Sequence, residues 1–292
     1  MKFHYMVTRS TVLHLRIPFS FFLLPIFLFG LSISPNIHGW KTLLTFFIIH
    51  FLLYPASNGY NSYFDKDEES IGGLEKPPTV TPDLYWVSLA MDTVALLLGL
   101  FIGLEFVMML FLFGLASKAY SHPAVRLKKR PVTSWLVAGF FQGFFTLLMT
   151  YMAVNDVSLS SALQPRVLFA AVLSSLMLWG SYPMTQVYQH QEDSRRGDIT
   201  LSIRLGIRGT FVFTAVFFSG AMGGFISYFL TYYSSLVALG FVVLLLPVLV
   251  YFGWWYVQVL NNREEASFKN TMRLNWLSAI SFNVFFGLSC LV

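Results

Sequence analysis

Nine apolar stretches, each close to the length that a helix needs to cross a lipid bilayer, constrain the fold of this chain more than any other feature. A helix needs about 20 apolar residues to cross the hydrocarbon core. Because backbone groups find no water there, runs of this length are typical of helices whose hydrogen bonds are all internal. The predicted spans are residues 17–35, 41–60, 84–103, 105–120, 133–154, 166–188, 209–230, 235–259 and 273–291. The sequence therefore predicts an all-α, polytopic integral membrane protein.

The composition supports this fold class. Only 11% of the residues are charged and 56% are hydrophobic, whereas soluble domains usually carry about 25% charged residues. No stretch resembles a soluble domain, so we expect residues 1–292 to form a single transmembrane domain. The one cysteine, Cys290, excludes an internal disulfide. The first apolar run lacks a small-residue cleavage site and is interpreted as a retained helix.

The distribution of lysine and arginine predicts the orientation of the chain. With the N-terminus inside, the predicted cytoplasmic segments contain 17 of the 19 Lys and Arg residues. Only Lys41 and Arg166 then fall on the other side. Cytoplasmic loops are enriched in positive residues, so we expect a cell (inner) membrane protein with its N-terminus and its functional site on the cytoplasmic side.

Residues 61–69, with the sequence NSYFDKDEE, concentrate acidic side chains at the cytoplasmic end of the second predicted span. Asn61, Asp65 and Glu69 recur every four residues, so on a helix they would line one face. Oxygen donors in such a row suit Mg²⁺. A solvated acidic loop is the alternative. The Gly- and Pro-rich segment 71–82 is predicted to be non-helical, as a lid over the site or a plain linker.

A second polar cluster, residues 188–198, follows the sixth predicted span. Gln189 and Asp193 lie four residues apart and can share a helix face, with Glu192 beside Asp193. Two acidic clusters at the same membrane depth predict a divalent-metal site in a common cavity. A metal site of this kind favours an enzyme whose substrate carries phosphate.

The loop at residues 118–131 is the densest basic segment. Its candidate diphosphate-binding residues are Tyr120, Arg126, Lys128, Lys129 and Arg130. Cations beside a bound metal stabilise a leaving diphosphate. The simpler interpretation is that the charges set topology and attract acidic lipid.

These motifs resemble those of the UbiA superfamily of intramembrane prenyltransferases. The segment 61–69 is similar to the pattern N-x-x-x-D-x-x-x-D, with Glu69 at the last Asp position. The segment 189–206 is similar to D-x-x-x-D followed by Gly, Thr-Leu and Leu-Gly, with Gln189 at the first Asp position. The segments AYSHPAVRLKKRP and LRIPFSFFLLP also resemble the basic loop and the opening of that family.

The resemblance implies about nine transmembrane helices around a central cavity that opens to the cytoplasmic side. It also implies an enzyme, a Mg²⁺-dependent prenyltransferase. In this family two Mg²⁺ ions bind a prenyl diphosphate, the C–O bond ionises towards an allylic cation, and an acceptor, usually aromatic, attacks. Quinone-type lipid biosynthesis uses such reactions. The expected partners are a prenyl diphosphate, a lipophilic acceptor and the bilayer, without nucleic acid.

The same resemblance implies a role for each matching residue. One Mg²⁺ would bind to Asn61, Asp65 and Glu69. The other would bind to Asp193, helped by Gln189 or Glu192. Asp65 and Asp193 would be essential for catalysis, and the diphosphate would contact Tyr120, Arg126, Lys128, Lys129 and Arg130.

Two other hypotheses stay open at the level of the sequence. One is a cation-coupled transporter, whose acidic residues bind an ion within the membrane. Transporters usually place such residues near the midplane, whereas both clusters here lie at predicted cytoplasmic ends. The other is a family member that has lost activity, since Gln189 removes a charge from the second motif. Metal-dependent release of diphosphate separates the three hypotheses, and the sequence leaves the acceptor and the prenyl length open.

Overall fold

The computed structural model describes residues 7–291, and about four fifths of these are helical. The α-helices are α1 (Arg9–Leu15), α2 (Leu24–Ser32), α3 (Gly39–Phe47), α4 (Tyr54–Asp65), α5 (Asp83–Gly99), α6 (Leu104–Ser121), α7 (Pro131–Gly139), α8 (Thr146–Asn155), α9 (Leu159–Ala162), α10 (Pro165–Ser181), α11 (His190–Arg196), α12 (Leu201–Tyr232), α13 (Ser235–Asn261) and α14 (Phe268–Ser289). Extended pairing in the described residues is limited to an isolated bridge between Ile71 and Leu74. The all-α prediction is confirmed. Lys2, one of the cations assigned to the cytoplasmic side, lies outside the described residues.

Short helices of other types join several of these elements. π-Helical turns occupy Ile48–Leu53 and Phe140–Phe145. They link α3 to α4 and α7 to α8, so that each pair forms one continuous helix. Turns of 3₁₀ helix occupy Ile17–Phe22, Leu127–Lys129, Tyr182–Gln186 and Arg263–Glu265.

Helices occur at all nine predicted spans, but not all of them have the length and apolarity of a membrane span. Six qualify within the described residues, and the bent pair Arg9–Phe22 and Leu24–Ser32 makes a seventh. The six are Gly39–Asp65, Leu104–Ser121, Pro131–Asn155, Pro165–Gln186, Leu201–Tyr232 and Ser235–Asn261. Helix α5 is only 17 residues long, and α14 begins with the polar sequence FKNTMRLNW. The membrane character is thus confirmed, but the count of nine is not.

By residue contacts the chain divides into two compact units. The described part of unit 1 comprises residues 7–21 and 38–127, with helices α1 and α3–α6. The described part of unit 2 comprises residues 22–37 and 128–291, with helices α2 and α7–α14. That residues 1–292 act as one domain stays a prediction.

Within unit 1, helix α4 packs closely against α5 because of a small residue. A Cβ at Gly59 would lie 2.5 Å from Ser88 Oγ. Leu84, next to this crossing, is fully buried. Helix association in a membrane depends on such close packing and on hydrogen bonds between helices, since lipid is as apolar as the side chains. The close approach holds the helix that carries the first acidic cluster.

The Gly- and Pro-rich segment 71–82 is non-helical, as predicted, and is tied to α1. His14 Nε2 lies 2.7 Å from the carbonyl oxygen of Pro78. Arg16, at the end of α1, donates from its guanidinium to the carbonyl oxygen of Gly72 at 3.2 Å. These contacts hold the segment against α1 at both of its ends.

Unit 2 is built around a close crossing of α10 with the π-helical turn after α7. A Cβ at Gly143 would lie 2.6 Å from Ser175 Cα. The Ser175 hydroxyl donates to the carbonyl oxygen of Gly139 at 2.8 Å and accepts from the Phe144 N–H at 2.9 Å. The Ser175 hydroxyl therefore pairs with backbone groups at the irregular turn. Unpaired backbone groups would be energetically costly in lipid.

Candidate functional site

The first acidic cluster begins on the last turn of α4 and continues past the end of the helix. Helix α4 ends at Asp65, because Lys66 adopts a left-handed φ of 49°. Asn61 and Asp65 lie one turn apart on one face, as predicted. Glu69 lies in the exposed segment beyond the helix. The prediction that one helical face carries all three residues is therefore wrong for Glu69.

Asn61 and Asp65 are joined to each other and to α6. Asn61 Nδ2 donates to Asp65 Oδ2 at 2.7 Å and to Ser121 Oγ at 3.0 Å. The Asp65 side chain is only 6% exposed. A guanidinium nitrogen of Arg126 lies 4.0 Å from Asp65 Oδ1. The structure thus brings one predicted diphosphate-binding cation next to a predicted metal-binding carboxylate.

The other members of the basic loop differ in exposure. Tyr120 is half-buried in the last turn of α6. Lys129 and Arg130 are exposed. Lys128 is only 8% exposed. The predicted set is therefore not one uniform basic surface.

Lys128 forms a buried ion pair with Asp198 in unit 2. Its Nζ lies 2.8 Å from Asp198 Oδ2, and the Asp198 side chain is 1% exposed. Sequence reasoning did not assign Asp198 to the site, although it directly follows Gly197 in the second cluster. Buried charges are normally paired in this way. The pair ties the second cluster to Lys128, where the second segment of unit 2 begins.

The second acidic cluster forms the short helix α11, with Gln189 at its N-cap. The Asp193 N–H donates to the Gln189 carbonyl oxygen at 2.9 Å. The prediction that these two residues lie one helical turn apart is confirmed. Glu192 is only 5% exposed, and its Oε1 lies 2.5 Å from a guanidinium nitrogen of Arg196. Glu192 is thus held by a cation of its own helix.

Capping contacts fix the chain on either side of this helix. Gly197 ends α11 with a φ of 69°, in the left-handed region that favours glycine. The Thr200 side chain accepts from the Ile203 N–H and caps α12. His190 Nε2 lies 2.7 Å from Ser202 Oγ, which connects α11 to α12. Burial of the His190 imidazole lowers its pKa, because desolvation disfavours the charged form.

Sequence reasoning missed an ion pair between α5 and α6 in unit 1. Lys118 Nζ on α6 contacts Asp92 Oδ2 on α5 and lies 5.1 Å from the centre of the Tyr60 ring. An acidic residue within an apolar helix is the feature that could have indicated this pair. Lys118 therefore contacts neighbouring helices and is not part of the loop surface.

The side chains at the two clusters can be compared with the ligands that a divalent cation requires. Residues 7–291 contain no group of three or more His, Cys, Asp or Glu side chains arranged to hold a metal. Mg²⁺, however, is often bound by one or two carboxylates together with water and substrate phosphates. The Asn61 amide and the Asp65 carboxylate supply two hard oxygen donors on one helical face. Unit 1 thus fits a Mg²⁺ ion that completes its coordination with water or phosphate.

Comparison with known sequences assigns the chain to a family. The sequence model of the UbiA prenyltransferase family matches residues 22–279. The chain belongs to the UbiA prenyltransferase family. The match extends over both acidic clusters and the basic loop of this UbiA protein. A search of curated protein sequences gives no match.

Solved structures of UbiA homologues share the fold. The homologue from Archaeoglobus fulgidus bound to GPP and Mg²⁺ is 16% identical, with a TM-score of 0.66 over 97% of this chain and 100% of that chain. The apo homologue from Aeropyrum pernix K1 is 18% identical, with a TM-score of 0.69 over 93% and 98%. A structure of digeranylgeranylglyceryl phosphate synthase is 17% identical, with a TM-score of 0.63 over 97% and 99%. At such identities the likeness establishes the fold, and the UbiA resemblance of the sequence is confirmed.

Proposed function

We propose that this chain is a Mg²⁺-dependent membrane prenyltransferase that transfers a prenyl chain from a prenyl diphosphate to a lipophilic acceptor. The proposal is carried by the Asp65 carboxylate, which has the amide of Asn61 and the guanidinium of Arg126 as neighbours. Oxygen donors suit a metal ion, and a guanidinium suits phosphate oxygens. Membership of the UbiA family supports the proposal, as does the likeness to a homologue bound to GPP and Mg²⁺.

In unit 1, Asn61 and Asp65 would hold the first Mg²⁺, and such an ion would supply positive charge to a diphosphate leaving group. Arg126 pairs with diphosphate oxygens and lowers the cost of the negative charge that develops as the C–O bond breaks. Tyr120 donates a hydrogen bond to the same group. Glu69 stays a predicted ligand.

The exposed cations of the basic loop and the buried one have different proposed roles. Lys129 and Arg130 attract the anionic diphosphate from the surface. Lys128 is held by Asp198 and anchors the end of the loop. Its contribution to diphosphate binding is therefore smaller than that of Arg126.

In unit 2, Asp193 and Gln189 are the proposed oxygen donors for a second Mg²⁺. Both are half-buried and lie one turn apart at the start of α11. Glu192 becomes a ligand only if Arg196 releases it. We propose that Gln189 weakens this second site relative to a carboxylate without abolishing it.

The proposed acceptor is an electron-rich aromatic ring of the kind used in quinone-type lipid biosynthesis. A carbon of such a ring captures an allylic cation in the absence of water. The proposed location of the reaction is the cytoplasmic face, because the distribution of Lys and Arg predicts a cytoplasmic position for each cluster.

A prenyl-transfer assay on the purified protein in detergent tests this function. Radiolabelled prenyl diphosphates of several lengths are combined with small aromatic acceptors, with and without Mg²⁺. We expect Mg²⁺-dependent product, and a loss of at least about 100-fold in Asp65→Asn and Asp193→Asn, because each removes a charge that holds the metal and its diphosphate. Asp156→Asn is the matched control, since it makes the same change at an exposed residue at the end of α8.

Two outcomes of this assay would contradict the proposed function. Full activity in Asp65→Asn would remove Asp65 from the metal site. Absence of both diphosphate release and diphosphate binding across the whole panel would favour an inactive family member or a transporter.

A further inference from the structure

Two pairs of polar side chains join α4 to α6 at successive turns in unit 1. Ser57 Oγ and Ser117 Oγ are 2.6 Å apart. One turn further along both helices, Asn61 Nδ2 donates to Ser121 Oγ at 3.0 Å. Both partners advance by four residues, so the two helices run in parallel and keep the same register over this turn. Small polar residues allow this close approach within a membrane.

The contact with Asp65 decides how the Asn61 amide is oriented, and the contact with Ser121 supports the same orientation. Asn61 Nδ2 donates to Asp65 Oδ2 at 2.7 Å. A carboxylate only accepts hydrogen bonds, so the amide nitrogen and not the amide oxygen faces Asp65. The two N–H groups are then used by Asp65 and Ser121. Asn61 Oδ1, the atom that can bind a cation, receives no hydrogen bond from the residues the structure describes.

Ser121 is well placed to maintain this orientation. The residue is only 1% exposed, so water has little access to replace its hydroxyl. Lys118, one turn before it on α6, is held by Asp92 and lies against the Tyr60 ring. These contacts keep the end of α6 seated on the last turns of α4. The Ser121 hydroxyl is therefore a fixed acceptor for the Asn61 amide.

We propose that Ser121 is a positioning residue that holds the Asn61 amide with Oδ1 directed towards a divalent cation. The inference rests on the proposed function, because it concerns the same metal site. A rotated amide would present N–H groups to the cation in place of an oxygen. Partners of metal ligands that act in this way commonly contribute about 10–100-fold to metal affinity.

Metal binding without substrate tests the proposal. The full-length protein in detergent is titrated with Mn²⁺ alone, and free Mn²⁺ is measured by electron paramagnetic resonance. Mn²⁺ accepts the same oxygen ligands as Mg²⁺. The variants are Ser121→Ala, Ser117→Ala, Asn61→Ala, Asp65→Asn and the double variant of Asn61 and Ser121. Ser117→Ala is the matched control, since it removes the same hydroxyl one turn away without touching Asn61.

We expect Ser121→Ala to raise the Mn²⁺ dissociation constant about tenfold, with a melting temperature without metal close to that of Ser117→Ala. We expect Ser117→Ala to bind Mn²⁺ like the wild type. Adding Ser121→Ala to Asn61→Ala should cause no further loss, because Ser121 acts through the amide.

Three other outcomes would refute either the role of Ser121 or the proposed metal site. Wild-type affinity in Ser121→Ala together with lost affinity in Asn61→Ala refutes the role of Ser121 and leaves the metal site in place. Equal weakening in Ser117→Ala and Ser121→Ala would show an effect of helix packing, which also refutes it. Unchanged affinity in Asn61→Ala and Asp65→Asn would refute the proposed metal site itself.

Discussion

Replacing Asp198 by Asn is expected to destabilise unit 2 strongly, because it leaves the Lys128 ammonium buried without its carboxylate. The two charged atoms are 2.8 Å apart, and the side chains are 10% and 1% exposed. At an effective dielectric constant of about 20, two unit charges at this separation attract by roughly 6 kcal/mol. Desolvation of both groups offsets part of this attraction. Removal of one partner from a buried pair typically costs about 3–5 kcal/mol.

This cost can be expressed as a change in melting temperature. For chains of 150–250 residues, 1 kcal/mol corresponds to about 2–4 °C. Asp198→Asn should therefore lower the melting temperature by roughly 6–20 °C. The assay is thermal unfolding of the purified protein in detergent, followed by tryptophan fluorescence at one fixed scan rate, because such unfolding is often irreversible.

A double-mutant cycle makes the test specific for the pair. Lys128→Met and Asp198→Leu should each be destabilising, but the double variant that combines them should recover much of the loss, since no charge is then buried without its partner. The exposed Asp156→Asn should change little. The reasoning fails if Asp198→Asn has the same melting temperature as the wild type. It also fails if the melting temperature of the double variant falls by the full sum of the decreases in the two single variants.

Two further predictions concern packing and pH. Gly143→Ala should lower the stability of unit 2 by about 1–3 kcal/mol, because its Cβ would lie 2.6 Å from backbone atoms of Ser175. Gly114→Ala is the control, because the space around the new Cβ is open. It should leave the stability unchanged or raise it, since alanine favours helices. The melting temperatures of the Gly143 and Gly114 variants are compared by thermal unfolding. Burial lowers the pKa of His190 below its ordinary value of 6.5, so its contribution to stability is complete above pH 6.5 and declines as the pH falls through the lowered pKa. The melting temperature should therefore fall as the pH drops below 6.5. The fall should be less steep in His190→Gln, and parallel profiles would contradict this assignment.

The predicted spans agree with the helices because the length of an apolar run is a local property of the chain. The prediction 133–154 corresponds to Pro131–Asn155, and 235–259 corresponds to Ser235–Asn261. Where polar residues are mixed in, as in α14, the same criterion gives no clear span. The number of spans was therefore less predictable than their positions.

Local spacing predicted only part of the candidate site. Gln189 and Asp193 are one helical turn apart, as their four-residue separation indicated. The same rule placed Glu69 on a helix, but α4 ends at Asp65, where Lys66 takes a left-handed conformation without being a glycine. Such an ending has no clear sequence pattern. Spacing can indicate a helical face but not the residue at which the helix stops.

The amino-acid sequence by itself determined the all-α membrane fold, the UbiA family and the two acidic clusters, because run length, composition and short motifs are local. Only the tertiary structure decided which partners these residues have. It showed that Lys128 is neutralised by Asp198 and that Ser121 accepts from Asn61. These pairs join residues far apart in the chain, so their formation depends on how the helices pack. Packing therefore separates the cations and carboxylates that stabilise the fold from those that are proposed to bind a metal-bound diphosphate.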